Sequence, residues 1–245
     1  MKAALFVTCL VDQLFPNVGE AAVKVLRHLN VEVAFPRDQT CCGQPALNSG
    51  LRYEATAVAR RFLKVFEGSE YIVCPSGSCT SLVRLFYADL LSEDPHLKAQ
   101  AGLLASRTYE FSEFITGVLK VTDIGARLEA RVAYHDSCHS LRELGISRGP
   151  RDLIKAVQDV ELVELPHHDV CCGFGGTFSI RYPEISSAIL RDKVDNILKS
   201  GARILTATDS GCLMHINGAL TRSGGQVEVL HLAELLARGL ERADA

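Results

Sequence analysis

Long apolar runs are missing from this chain: no stretch approaches the roughly 18 to 20 uninterrupted apolar residues of a membrane span. A soluble protein is therefore expected. Positive charge is scattered and the formal net charge is −3, so there is no basic stripe for a nucleic acid to meet. The opening MKAALFVTCLVDQ has no small-residue cleavage site; it reads as a first strand rather than a signal peptide, and a cytoplasmic location is expected. A dinucleotide fingerprint is lacking too, because GFGG at Gly173 to Gly176 is too short and wrongly spaced for G-x-G-x-x-G. No flavin motif or nucleophile elbow replaces it. What the chain does have is 47% apolar residues, ample for buried cores, within 245 residues, enough for one large domain or two.

It also has nine cysteines, an odd number that fits a disulfide framework poorly. Eight of them fall into a pattern that occurs twice: a lone Cys, a Cys-Cys-Gly, and a second lone Cys. The first set is Cys9, Cys41-Cys42-Gly43 and Cys79; the second is Cys138, Cys171-Cys172-Gly173 and Cys212. The gaps between matching cysteines are nearly equal, which predicts two halves on one plan. Four thiols gathered from distant parts of a chain suit a soft metal centre, zinc or iron–sulfur, better than they suit packing alone.

Each half alternates short apolar runs with helical patterns, as parallel βα units do. The expected strands are 3–7, 31–35 and 71–73 in the first half, and 132–135, 160–165 and 203–207 in the second. Helical faces are marked by Ala22, Val25, Leu26 and Leu29, and by Val58, Phe62, Val65 and Phe66. In the second half the helices fall around 152–157 and over Leu190, Val194, Ile197 and Leu198, the last spaced like the 58–66 quartet. The predicted fold is α/β: two pseudo-equivalent Rossmann-like lobes with short parallel sheets, related by internal duplication. Residues 1–91 and 131–245 would form the lobes. Residues 92–130 would form a helical linker, its Phe111, Phe114, Ile115, Val118 and Leu119 packing on the core. Every thiol set would then follow a strand, at the carboxyl edge where open α/β sheets bind ligands. Gly43 and Gly173 would permit tight turns whose amides stabilise thiolate or sulfide charge.

Other residues near the thiols have blander readings. Cys74 aligns with Ala207 at the end of an apolar strand and is expected to be a buried structural thiol. His135 and His139 flank Cys138, and His167-His168 precede Cys171. With four thiols at hand, these imidazoles are expected to tune the centre by hydrogen bonding or to face solvent, not to ligate. Asp136 and Asp209 are as well suited to capping helices as to moving protons.

The doubled C…CCG…C arrangement resembles the cysteine-rich CCG domain proteins, which include the B subunit of heterodisulfide reductase. The stretches FVTCLVDQLFPNVGEAAVKVL, CCGQPALNSG, PSGSCTSLV, YHDSCH and CCGFGGTFS, over essentially the whole chain, resemble the lactate utilization protein A family. That resemblance implies an electron-transfer subunit in oxidation of L-lactate to pyruvate, acting with a ferredoxin-like iron–sulfur subunit and a third subunit. It also implies one cluster, 4Fe-4S in type, on Cys9, Cys41, Cys42 and Cys79, and a second on Cys138, Cys171, Cys172 and Cys212. One departure stands out: the broader motif ends in C-x-x-C, whereas Cys79 is followed by Thr80-Ser81-Leu82 and Cys212 by Leu213-Met214-His215. The five-thiolate, disulfide-splitting chemistry of heterodisulfide reductase is not expected here. From the residues alone, a zinc-stabilised structural module and a thiol–disulfide reductase remain open alternatives.

Overall fold

The computed structural model describes residues 1–243, which form two compact units, Met1–Phe111 and a second from Ser112 onward. The first contains strands β1 (Lys2–Leu5), β2 (Glu32–Ala34), β3 (Tyr71–Cys74) and β4 (Thr108–Glu110), all parallel, in the order β2-β1-β3-β4. The second contains β5 (Arg127–Tyr134), β6 (Gln158–Val163), β7 (Ile204–Ala207) and β8 (Glu228–His231), in the order β6-β5-β7-β8. The two sheets share one topology, as the duplicated cysteines predict. In each, the strand order reverses beside the first strand, between β1 and β3 or β5 and β7, and open α/β sheets take ligands at such a reversal.

The fourth strands, β4 and β8, have no counterpart among the expected strands. β4 lies inside 92–130, where the apolar pattern predicts linking helices; helix Pro95–Ala105 precedes it and a helical segment over 111–118 follows. Phe111, Phe114 and Ile115 are fully buried. Both strands are short, and β4 reads T-Y-E, which carries no alternating apolar signal.

Helix Arg52–Phe66 buries Ala55, Ala59, Phe62, Leu63 and Phe66 against the first sheet. Phe6 packs edge-on to Phe62 at 5.1 Å and to Phe66 at 5.4 Å between ring centroids, and Phe62 meets Tyr87 at 5.3 Å. Such contacts contribute about 0.5–1.5 kcal/mol each beyond the area they bury. In the second lobe, helix Pro183–Ser200 buries Ser186, Leu190, Lys193, Val194 and Ile197. One constant offset carries the five buried residues of the first helix onto those of the second, so Lys193 stands where Phe62 does and Ile197 where Phe66 does. The quartet over 190–198 predicted from apolar spacing is thus one residue out of register with 58–66, and Leu198 is 44% exposed. The pattern slipped because two of the truly buried positions, Ser186 and Lys193, are polar.

Candidate metal centre

The first quartet assembles at the carboxyl edge of its sheet. Cys9 opens the helix Cys9–Leu14 after β1, and Cys41-Cys42 lie in the connection after β2. Cys79 lies in the short helix Gly77–Ser81 after β3, where the Ser76 side chain caps it by accepting from the Cys79 amide. The Sγ atoms of Cys9 and Cys41 are 3.5 Å apart, and those of Cys42 and Cys79 are 3.1 Å apart; all nine cysteines are free thiols. Gly43 adopts φ +93, which turns its amide onto Cys41 Sγ at 3.4 Å. Tyr87 donates its hydroxyl to the Cys42 carbonyl at 2.7 Å, tying the paired thiols to the aromatic core.

The second quartet repeats the arrangement. Gly173 at φ +86 donates to Cys171 Sγ at 3.3 Å, and Phe174 donates to Cys172 Sγ at 3.5 Å. The GFGG segment is the tight turn its glycines predict, with Gly175 and Gly176 also at positive φ. The side chains form the chain of contacts Cys138, Cys171, Cys172, Cys212, as their mutual hydrogen bonding indicates. All eight candidate thiols are therefore gathered into the two sets the spacing predicts.

The thiols of each set are pushed in alternate directions. Hydrogen bonds from Cys42 and Cys9, with help from the Gly43 amide, push the Cys41 thiol well down, and bonds from Cys138 and Cys172 do the same for Cys171. The partners Cys9, Cys42, Cys138 and Cys172 are pushed up, first by those same thiols and then by burial. Cys79 and Cys212 are again held low by bonds from Cys42 and Cys172. Thiols that share protons this closely are a soft donor set, and a thiophilic cation that displaces the remaining protons fits them.

The surroundings of the two sets differ. Cys74 is fully buried at the end of β3, as expected, but its thiol also hydrogen-bonds to Cys79. Around the second set the neighbours are polar. His135 is fully buried, neither of its ring nitrogens meets a nitrogen or oxygen partner among the described residues, and a ring nitrogen lies within 4.8 Å of the Cys172 and Cys212 sulfurs, near enough to hydrogen-bond the Cys212 thiolate. His139 Nδ1 is 3.5 Å from Cys138 Sγ, whereas His167 faces solvent. Asp136 neither caps a helix nor faces a thiol: its buried carboxylate takes a bidentate pair from Arg151 at 2.8 and 2.6 Å and a third contact from His168 Nδ1 at 2.8 Å. Asp209 stands at the N-cap of the helix Ser210–Arg222, without a side-chain capping bond.

Sequence reasoning missed Tyr87, Arg151 and Lys193. Only Lys193 left a signal, as a lysine on the apolar face of an amphipathic helix. Its ammonium contacts the carbonyls of His167 and His168 at 3.3 Å, holding the segment that leads into Cys171, while burial pulls its pKa down.

Residues 3–84 and 132–217 match the cysteine-rich domain family CCG, one copy in each lobe. The chain is 47% identical to lactate utilization protein A of an Exiguobacterium species over 99% of both chains. It is 48% identical to the Bacillus pumilus protein of that name, over 96% of this chain and 99% of that one. Among solved structures, a hypothetical protein from Helicobacter pylori superposes with a TM-score of 0.65 at 12% identity, a likeness of fold; 97% of this chain spans about half, 49%, of that one. With both halves matched by the cysteine-rich domain and full-length relatives near half identity, the chain belongs to the lactate utilization protein A family of CCG proteins.

Proposed function

We propose that this chain is an iron–sulfur redox subunit that passes electrons in the oxidation of L-lactate to pyruvate. The observation that carries the reading is the repeated thiol set at the strand-order reversal of each sheet, with the amides of Gly43, Gly173 and Phe174 aimed at cysteine sulfur. When bound, a cluster of the 4Fe-4S type would accept and release one electron at a time. Cys9, Cys41, Cys42 and Cys79 would hold one centre, and Cys138, Cys171, Cys172 and Cys212 the other. The amides offset the negative charge of the thiolates, and the buried aromatic wall of Phe6, Phe62 and Tyr87 keeps water from the first set.

Lactate loses two electrons and two protons on becoming pyruvate, so one-electron carriers must accept them in two steps. The direct oxidation of lactate belongs to a partner in this reading. Those partners would be a ferredoxin-like iron–sulfur subunit and a third subunit, in the cytoplasm. The name shared by the relatives supports the lactate assignment. No helix among the described residues is long and apolar enough to cross a membrane.

A second reading is favoured by the sulfur spacing. Contacts of 3.1 and 3.5 Å are close enough for the thiols to share one ion, and four thiolates close a tetrahedral zinc site without redox activity. A multi-iron cluster would require the same thiols to spread apart. Iron, acid-labile sulfide and zinc counts on anaerobically purified protein decide between them. Iron and sulfide that are lost in air support the cluster, and stoichiometric zinc without iron overturns it. Deleting the protein in a strain without other lactate dehydrogenases should abolish growth on L-lactate and spare growth on pyruvate; normal growth on lactate overturns the pathway assignment.

A further inference from the structure

Both lobes place a fifth donor beside the last cysteine of the quartet, and they take it from different strands. In the first lobe it is Cys74, at the end of β3, bonded to Cys79. The matching end of β7 is Ala207, which has nothing to donate. Instead the position just after β5 supplies His135, close enough to favour the Cys212 thiolate. The backbone identifies the first-lobe equivalent of His135. Phe6 donates its amide to Val73 O at 2.9 Å, and His135 donates its amide to Thr206 O at 2.8 Å, each at the same step beyond its strand.

That exchange of Phe for His is not neutral filler. Phe6 is satisfied by the rings of Phe62 and Phe66. Its counterpart is a fully buried imidazole that meets no nitrogen or oxygen partner and reaches only the Cys212 thiol, in a wall where Lys193 stands in the place of Phe62. The buried Ser137 hydroxyl, two residues on, likewise meets no nitrogen or oxygen partner and reaches only the Cys212 thiol. Native interiors rarely leave such groups unmet, and an imidazole facing two thiolates is a recognised mixed donor set for iron and zinc alike.

We propose that His135 is a nitrogen ligand of the metal centre in the second lobe, sharing it with the sulfurs of Cys172 and Cys212. The two lobes then hold unequal centres, all-sulfur in the first and sulfur–nitrogen in the second. The inference rests on the metal-centre reading above, for either metal. If the metal is iron, the neutral imidazole adds a ligand without adding negative charge, and the two centres differ in reduction potential.

The test uses the full chain, purified anaerobically with nitrogen-15 histidine, and two variants. His135→Phe installs the first-lobe residue, and His139→Gln removes a second imidazole near a ligand; a third, His215, feels the Cys212 and Cys171 charges and stays in both variants. For iron, pulsed paramagnetic resonance reads nitrogen coupling; for zinc, X-ray absorption reads a nitrogen shell. The expected result is directly bonded histidine nitrogen in the wild type, retained in His139→Gln and lost in His135→Phe. A sulfur-only shell, coupling of hydrogen-bond strength only, or loss of the signal in His139→Gln overturns the proposal. Metal content separates the two layers: bound metal without histidine nitrogen sinks this inference alone, and absence of metal sinks the reading beneath it as well. Should His135→Phe fail to fold, His135→Gln, which keeps a polar side chain there, takes its place.

Discussion

The Tyr87 hydroxyl donates to the Cys42 carbonyl oxygen at 2.7 Å, joining the aromatic core of the first lobe to its paired thiols. Both groups are buried. Tyr87→Phe keeps the ring contacts with Phe62 but leaves the carbonyl unmet, at a cost of about 1–3 kcal/mol. Thermal unfolding of the metal-free variant measures it, and an unchanged midpoint would show that the bond contributes nothing.

The two Cys-Cys-Gly turns should respond differently to alanine. Both glycines sit at positive φ, where an L side chain costs about 1–2 kcal/mol. A Cβ on Gly43 meets Val58 side-chain atoms at 3.3 Å, whereas one on Gly173 meets the Ser186 carbonyl oxygen at 2.6 Å, in the backbone of a long helix. Gly173→Ala should therefore be the more destabilising and should deplete metal from the second lobe. Gly43→Ala should retain most of the first-lobe metal. Denaturant unfolding and metal counts on both proteins test the ordering.

Among the first-lobe cysteines, Cys79 and Cys74 separate ligand from bystander. Cys79→Ser should remove most of the first-lobe metal, because a hard hydroxyl replaces a soft thiolate. Cys74→Ser should keep metal nearly unchanged and cost at most about 1–3 kcal/mol, since the hydroxyl can stay beside Cys79. Equal loss in the two variants would make Cys74 a fifth ligand.

Arg151 neutralises Asp136 inside the second lobe and lies 5.2 Å from the centre of the Tyr134 ring. Arg151→Met strands a carboxylate of 0% exposure with only His168 for company, and breaking a buried pair in this way costs about 3–5 kcal/mol. A midpoint shift in denaturant no larger than that of Arg238→Met, at the exposed pair with Glu228, would refute it.

In metal-free protein the thiols should alkylate in a fixed order. Cys41 and Cys171 are held low by neighbouring thiols, so their thiolates persist as pH falls below neutrality, where Cys9 and Cys138, pushed up, stay protonated. All four are partly exposed. Iodoacetamide at about pH 6 should label Cys41 and Cys171 first, against an ordinary thiol value of about 8.5. Peptide mapping by mass spectrometry checks it, and preferential labelling of Cys9 or Cys138 would count against the order.

Much of the site was legible in the chain. Repeated thiols at near-equal gaps, each after an apolar run, placed all eight candidates correctly by strand, because parallel βα units bring strand ends to one edge whatever their separation in sequence. The Cys-Cys-Gly turns were legible for a similar reason, since a glycine at a tight turn beside paired thiols is a local demand of the backbone. The short strands β4 and β8 were not, because strands of three or four residues acquire their identity from the neighbour they pair with.

What only the tertiary structure decided is the chemical difference between the halves. The sequence by itself determined the duplication, the α/β class and the thiol sets. It could not show that Phe6 and His135 are equivalent, or Phe62 and Lys193, because an apolar period scores the phenylalanines and skips the polar residues that share their positions. Equivalence of that kind is fixed by a backbone hydrogen bond beyond a strand and by which face of a helix meets the sheet. Both are long-range relations: Phe6 to Val73 in one lobe and His135 to Thr206 in the other. They exist only once the strands are paired.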